Sequence, residues 1–119
     1  MPVAVDLAGR YEASVTVIHV REYDRYEGSD VDLGPPIPAE DLVERAVKVF
    51  REAGVGASGI IRRVSPGRTA EQIVEAAEQS HAGLIVMGTR GMTELKSLFL
   101  GGVATKVVHQ AACPVLLVR

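Results

Sequence analysis

Three short runs of apolar, largely β-branched residues most constrain the fold. They are residues 15–20 (Val-Thr-Val-Ile-His-Val), 84–87 (Leu-Ile-Val-Met) and 114–118 (Pro-Val-Leu-Leu-Val). Each is nearly continuous rather than alternating, which is how a strand covered on both faces reads. Residues 57–64 add a further strand candidate, carrying Ile60, Ile61 and Val64. The stretches between have helical period. In residues 39–53, Leu42, Val43, Ala46, Val47, Val49 and Phe50 lie mostly on one side of a 3.6-residue wheel. Glu44 and Lys48 supply an i,i+4 pair on the wet side, and Gly54 and Gly56 end the helix. Pro66-Gly67 turns the chain. Thr69 and Gln72 then form a capping-box pattern, opening a helix that buries Ile73, Val74, Ala76 and Ala77 and runs to about Ser80. Residues 103–111 read as a helix with Val103, Val107 and Val108 inward. Strand and helix in alternation predict an α/β fold, an open doubly wound parallel sheet.

Composition narrows the function classes. The 119 residues predict one domain, 1–119, and the few aromatics and absent Trp suit a sheet built from Val, Ile, Leu and Ala. A net charge of -2 gives no basic surplus for gripping nucleic acid. No apolar run approaches the roughly 20 residues that span a bilayer. The N-terminus shows no signal-peptide pattern. Cys113 is the single cysteine, which excludes an internal disulfide and fits a reduced, cytoplasmic compartment. Residues 21–38 hold Asp24, Glu27, Asp30 and Asp32 and then Gly34-Pro35-Pro36-Ile37-Pro38, and are expected to form a solvated acidic loop.

The segment richest in chemistry runs from Met87-Gly88-Thr89-Arg90-Gly91, through nine residues with one helical turn near 95–100, to Gly101-Gly102-Val103. It starts where a buried strand ends and finishes where a helix begins. Open α/β sheets bind ligands at the carboxyl ends of their strands. A helix N-terminus offers free amides and a partial positive charge, both suited to phosphate. Glycines let the backbone approach anionic oxygens, and Arg90 adds a charged fork. The plainer alternative is that these glycines serve only a tight strand-to-helix turn.

This segment resembles the universal stress protein pattern Gly-x2-Gly-x9-Gly-(Ser/Thr). Residues 15–20, the Pro66 turn with its Ile73-Val74 helix, residues 84–88, and the run from Val107-Val108 to Cys113-Pro114-Val115-Leu116-Leu117-Val118 resemble that family too. The likeness covers about residues 3–119. It implies a sheet of strand order 3-2-1-4-5. In ATP-binding members of the family the loop holds phosphates and ribose. By resemblance, Gly88, Gly91, Gly101, Gly102 and Val103 match that loop, and Met87 and Val20 match apolar positions near the base. The implied ligand is ATP, with or without magnesium. The implied role is stress-response regulation rather than catalysis, and no nucleophile–base pair, metal cluster or Gly-Lys-(Ser/Thr) motif is visible. Family members often dimerise through the last strand, and residues 115–118 are apolar and suited to an edge. The alternative function is a stress protein that binds no nucleotide and acts through protein contacts.

Two departures bear on this. Position 102 is Gly where the ATP-binding pattern has Ser or Thr, so one hydroxyl donor to phosphate is absent. The N-terminus is also short for the pattern. Either Val3-Ala4-Val5-Asp6 is the first strand, with Asp6 toward adenine, or residues 3–11 are a helix with Val3, Leu7 and Tyr11 on one face. The strand version leaves only residues 7–14 as a crossover, below the roughly 10–12 that one needs. The helix version is therefore favoured. The first strand is then missing: the chain starts late, another chain supplies the strand, or residues 2–6 fill the slot. His19 is expected to be a satisfied structural histidine or a pocket-edge residue, His81 and His109 show no metal spacing, and Cys113 is expected to be a structural thiol.

Overall fold

A computed structural model describes residues 2–88 and 102–118, which fall into two units, 1–67 and 68–119. The first unit contains α1 (Pro2–Arg10), β1 (Val15–Tyr26), β2 (Ser29–Asp32), α2 (Ala39–Glu52) and β3 (Ala57–Val64). The second contains α3 (Thr69–Gln79), β4 (Ile85–Gly88), α4 (Gly102–Gln110) and β5 (Val115–Val118).

In the first unit β1 and β3 pair in parallel, from Val15↔Ala57 to Glu22↔Val64, joined through α2. Paired residues share a face, so Val15, Val17, Ala57 and Gly59 point together. That face meets the helices: Ala8 of α1, Phe50 of α2 and Val55 form the core, with Ala4, Val5, Val15, Val17 and Ala57 against it. Gly59 lies directly beneath Val43, and a Cβ there would collide with Val43 Cγ1. The missing side chain sets how closely α2 lies on the sheet. Among the expected inward residues of α2, Val43, Val47 and Phe50 are buried, whereas Val49 is exposed. Lys48 pairs with Glu52 at 3.7 Å rather than with Glu44, with the acidic partner one turn toward the C-terminus.

The N-terminus resolves the two readings in favour of the helix. Residues 3–6 are helical within α1, and Asp6 pairs with Arg10 at 2.9 Å across one exposed turn. No described residue before Val15 is in a strand. α1 ends with Glu12 in the left-handed region (φ 51). Ala13 N–H donates to the Ala8 carbonyl and Glu12 N–H to that of Gly9, so the last carbonyls are satisfied. α2 ends the same way at Gly54 (φ 80).

The acidic loop expected over 21–38 is corrected. β1 continues to Tyr26, and β2 returns antiparallel from Tyr26↔Ser29 to Tyr23↔Asp32. The two-residue turn places both Glu27 (φ 50) and Gly28 (φ 81) at positive φ, matching the right-handed twist of a tight hairpin. Charges on both faces hide these strands from a hydrophobic pattern, because their pairing is made by backbone groups.

The second unit is a parallel pair, Ile85↔Val115 to Gly88↔Val118, with α3 packed on α4. The capping box at Thr69 does not form: Thr69 is already the first helical residue, and Arg68 precedes it without a side-chain cap. Ala104 and Val107 are the buried residues of α4. Val107 is inward as expected, whereas Val103 and Val108, also expected inward, are exposed and Ala104 takes the remaining buried position. The helical turn expected at 95–100 lies outside the described residues.

Replacing Gly59 by Ala should destabilise the fold by about 1–3 kcal/mol through overpacking against a stiff β-branched side chain. In urea unfolding, Gly59→Ala combined with Val43→Ala should cost clearly less than the sum of the two single changes. Strict additivity would show that Val43 does not set the helix–sheet spacing.

Candidate functional site

The residues singled out from the sequence fall at three places. Val20 sits half-buried in β1 of the first unit, beside Arg62 of β3. Met87 and Gly88 end β4 of the second unit, beside Leu117 and Val118, with Met87 half-buried and Gly88 exposed. Gly102 and Val103 open α4, in the same unit as β4, and both are exposed. Arg90, Gly91 and Gly101 lie outside the described residues. The glycine segment thus begins at the carboxyl end of one strand and ends at the amino end of a helix.

The chemistry of these two ends is plain. The first amides of α4 have no intrahelical acceptor and carry the positive end of the helix dipole. Among the described residues, an added Cβ at Gly102 would meet nothing within 4 Å. At Gly88 a Cβ would make only ordinary contact, 3.8 Å from the Val118 carbonyl. Among the described residues, nothing forces glycine at either position by steric need. A cavity of about 130 Å³ lies elsewhere in this unit, lined by Val74, His81, Ile85 and Cys113 among others. Ile85 is the first residue of β4, so the cavity sits at the end of that strand opposite to Gly88.

Sequence reasoning missed a charged centre in the first unit. Arg21 of β1 is only 4 % exposed. Its Nε donates to both carboxylate oxygens of Asp32, at 3.0 and 2.9 Å. One terminal nitrogen donates to the Ile37 carbonyl at 2.8 Å and the other to that of Pro35. Gly34 makes room for this, since a Cβ there would lie 2.6 Å from Arg21 Nε. The only sequence signal was an arginine following an apolar strand, with an aspartate eleven residues on. Hydrogen bonds from Arg21 and from the Gly34 amide hold the Asp32 carboxyl below its usual range. Two residues before Arg21, His19 has a buried Nε2 with no hydrogen-bond partner. Burial and the nearby Arg21 charge lower its pKa below 6.5, and Asp32 offsets this only in part. At the end of β3, Arg63 donates to Glu40 of α2 at 2.8 Å. No group of three or more potential metal-ligating side chains occurs among the described residues.

Comparison with known proteins was made on this basis. The universal stress protein family model matches residues 3–119. A universal stress protein of Thermus aquaticus is 44% identical over 118 residues, covering 94% of this chain and 82% of that protein. One from Methanocaldococcus jannaschii is 33% identical over 128 residues, covering 98% of this chain and 71% of that protein. Among solved structures, a universal stress protein from Archaeoglobus fulgidus aligns with a TM-score of 0.76 at 24% identity, over 98% of this chain and 84% of that one. The universal stress protein from Archaeoglobus fulgidus in complex with dAMP gives a TM-score of 0.72 at 23% identity, covering 98% and 82%. A universal stress protein in complex with cAMP gives 0.70 at 20% identity, also covering 98% and 82%. These structural likenesses establish the fold, a Rossmann-like α/β arrangement, as expected from the strand–helix alternation.

His19 and Asp32 both have depressed pKa values in the folded state, so the unfolded chain binds more protons as the pH falls. Their contribution to stability is present above the unfolded pKa values and is lost on acidification. The melting temperature should therefore fall as the pH drops below about 6.5, the ordinary histidine value. His19→Asn should flatten the upper part of that decline and Asp32→Asn the part near pH 4. An unchanged profile in both variants would contradict the assignment.

Proposed function

Because the chain belongs to the universal stress protein family, we propose that it is a stress-response regulatory protein that binds an adenine nucleotide, ATP, between β4 and α4. One observation carries this reading. Within a single unit, a strand ends on Gly88 and a helix opens on Gly102, so the glycine segment joins the two kinds of backbone terminus that suit a phosphate chain. The adenine nucleotides held by two structural neighbours support it. On this reading the amides of Gly102, Val103 and Ala104 receive phosphate oxygens. Gly88, Gly91 and Gly101 let the backbone approach, and Arg90 adds charge. Met87 supplies apolar contact to the base, and magnesium accompanies the phosphates.

The reading assigns binding and no catalytic step. It places the protein in the cytoplasm, where Cys113 stays reduced. No helix among the described residues is long and apolar enough to cross a membrane. Dimerisation belongs to the same proposal: β5, with Val115, Leu116, Leu117 and Val118 all half-buried, pairs on one side with β4 and offers its other side to a second copy. In light scattering at micromolar concentration a dimer mass is expected, and a monomer mass would refute the pairing.

Gly102 favours a second reading, a family member that works through protein contacts without nucleotide. Both readings meet in one experiment. The purified protein is melted with and without millimolar ATP and magnesium, and released small molecules are analysed after denaturation. A nucleotide-dependent rise in melting temperature is expected. No rise and no released nucleotide would leave the protein-contact reading. Gly102→Ser restores a hydroxyl in open space. One neutral hydrogen bond, about 0.5–1.5 kcal/mol, should tighten ATP binding about two- to tenfold.

A further inference from the structure

The hairpin formed by the end of β1 and β2 has an outer edge with which no described strand pairs. Leu33 N–H donates to the Glu22 carbonyl at 2.9 Å, which makes Glu22 and Leu33 a hydrogen-bonded pair. Antiparallel ladders alternate, so Asp24↔Val31 and Tyr26↔Ser29 are also hydrogen-bonded pairs, with Tyr23↔Asp32 and Arg25↔Asp30 between them. The backbone N–H and C=O of Asp30 and Asp32 therefore point away from β1. β2 is last in the order β2-β1-β3, and no described strand pairs with it on that side. All four of its residues are exposed.

The side chains around this edge are of two kinds. Register and alternation put Tyr26, Val31 and Leu33 on one face of the hairpin, and they are 57%, 39% and 42% exposed. Tyr26 and Val31 are diagonal neighbours there, close enough to act as one apolar patch. Charge is one-sided: residues 22–33 carry Glu22, Asp24, Glu27, Asp30 and Asp32 against Arg25 alone. Arg21 beneath is buried and spent on Asp32 and two carbonyls. A second copy of the hairpin would bring the same carboxylates against these, and like charges in facing strands repel.

We propose that the outer edge of β2 receives, by strand addition, an extended segment of another protein in which apolar residues alternate with lysine or arginine. The outward amide and carbonyl groups of Asp30 and Asp32 supply the ladder. Val31 and Leu33, with Tyr26 on the same face, take the apolar side chains, and on the other face Asp30 and Asp32 meet the cations. Nothing in this depends on nucleotide binding.

The test uses the full chain and two labelled synthetic decapeptides, one alternating lysine with valine and the other glutamate with valine. Binding is read by fluorescence anisotropy and by amide shifts at residues 29–33. The lysine peptide should bind at least tenfold more tightly than the glutamate peptide. Asp30→Pro removes one outward donor while the inward ladder keeps its bonds, and should weaken binding at least tenfold. Asp30→Asn removes charge but keeps the donor, and should weaken it only a few-fold. Val31→Lys, which leaves the backbone intact, should also weaken it at least tenfold, and serves if Asp30→Pro does not fold. Equal affinity for the two peptides, or full affinity in Asp30→Pro or Val31→Lys, would overturn the proposal. Self-association that Asp30→Pro abolishes would overturn it in favour of a second copy.

Discussion

The buried guanidinium of Arg21 is the contact on which the first unit is organised. It sits in β1 and reaches Asp32 at the end of β2 and the carbonyls of Pro35 and Ile37 in the connection to α2. A charge at 4 % exposure is tolerable only when it is paired and hydrogen-bonded, and here each of the three guanidinium nitrogens donates. By holding residues 32–37, Arg21 also fixes where the chain enters α2. Pro38 follows at once, and its carbonyl accepts the Asp41 and Leu42 amides that begin the helix. The Arg63–Glu40 bond then ties the first turn of α2 to the end of β3.

With α2 located, the parallel pairing of β1 and β3 follows as a geometric consequence. Parallel strands need a crossover, and α2 supplies it by lying on the face that Gly59 leaves bare. His19 shares that face with Arg21 and is kept neutral by burial and by the adjacent positive charge. The acid sensitivity of this unit therefore comes from the Arg21 arrangement itself. Protonating Asp32 weakens its partner, and protonating His19 sets a second cation beside it.

The second unit carries the functional hypothesis with much less apparatus. A four-residue strand and a nine-residue helix bracket the glycine segment, and what they contribute is mostly backbone. Backbone phosphate sites are legible in sequence for that reason, since spacing and glycine content encode them without any particular side chain. The same economy explains why Gly102 matters. Where few side chains participate, one missing hydroxyl is a large share of the polar contacts.

How much was legible follows from which interactions are local. Residues 57–64 were delimited to the residue, and residues 39–53 to within one, because apolar periodicity and a glycine stop are properties of neighbouring residues. The family and the α/β class were legible for the same reason. The β1–β2 hairpin was not, because its strands are charged on both faces and are held by backbone pairing and by an Arg21–Asp32 contact eleven residues apart. Nor was the full inward stripe of α4, where Val107 is buried as expected but Ala104, rather than Val103 or Val108, is buried with it. A valine on a short helix has no inward direction until α3 is packed against it. The sequence by itself determined α2, β3, α3, β4, α4 and β5, their order, and the glycine spacing between β4 and α4, since these rest on short-range pattern. Only the tertiary structure decided which charges are buried, that β1 and β2 form a hairpin, and which edge no described strand pairs with, since each depends on residues brought together across the fold.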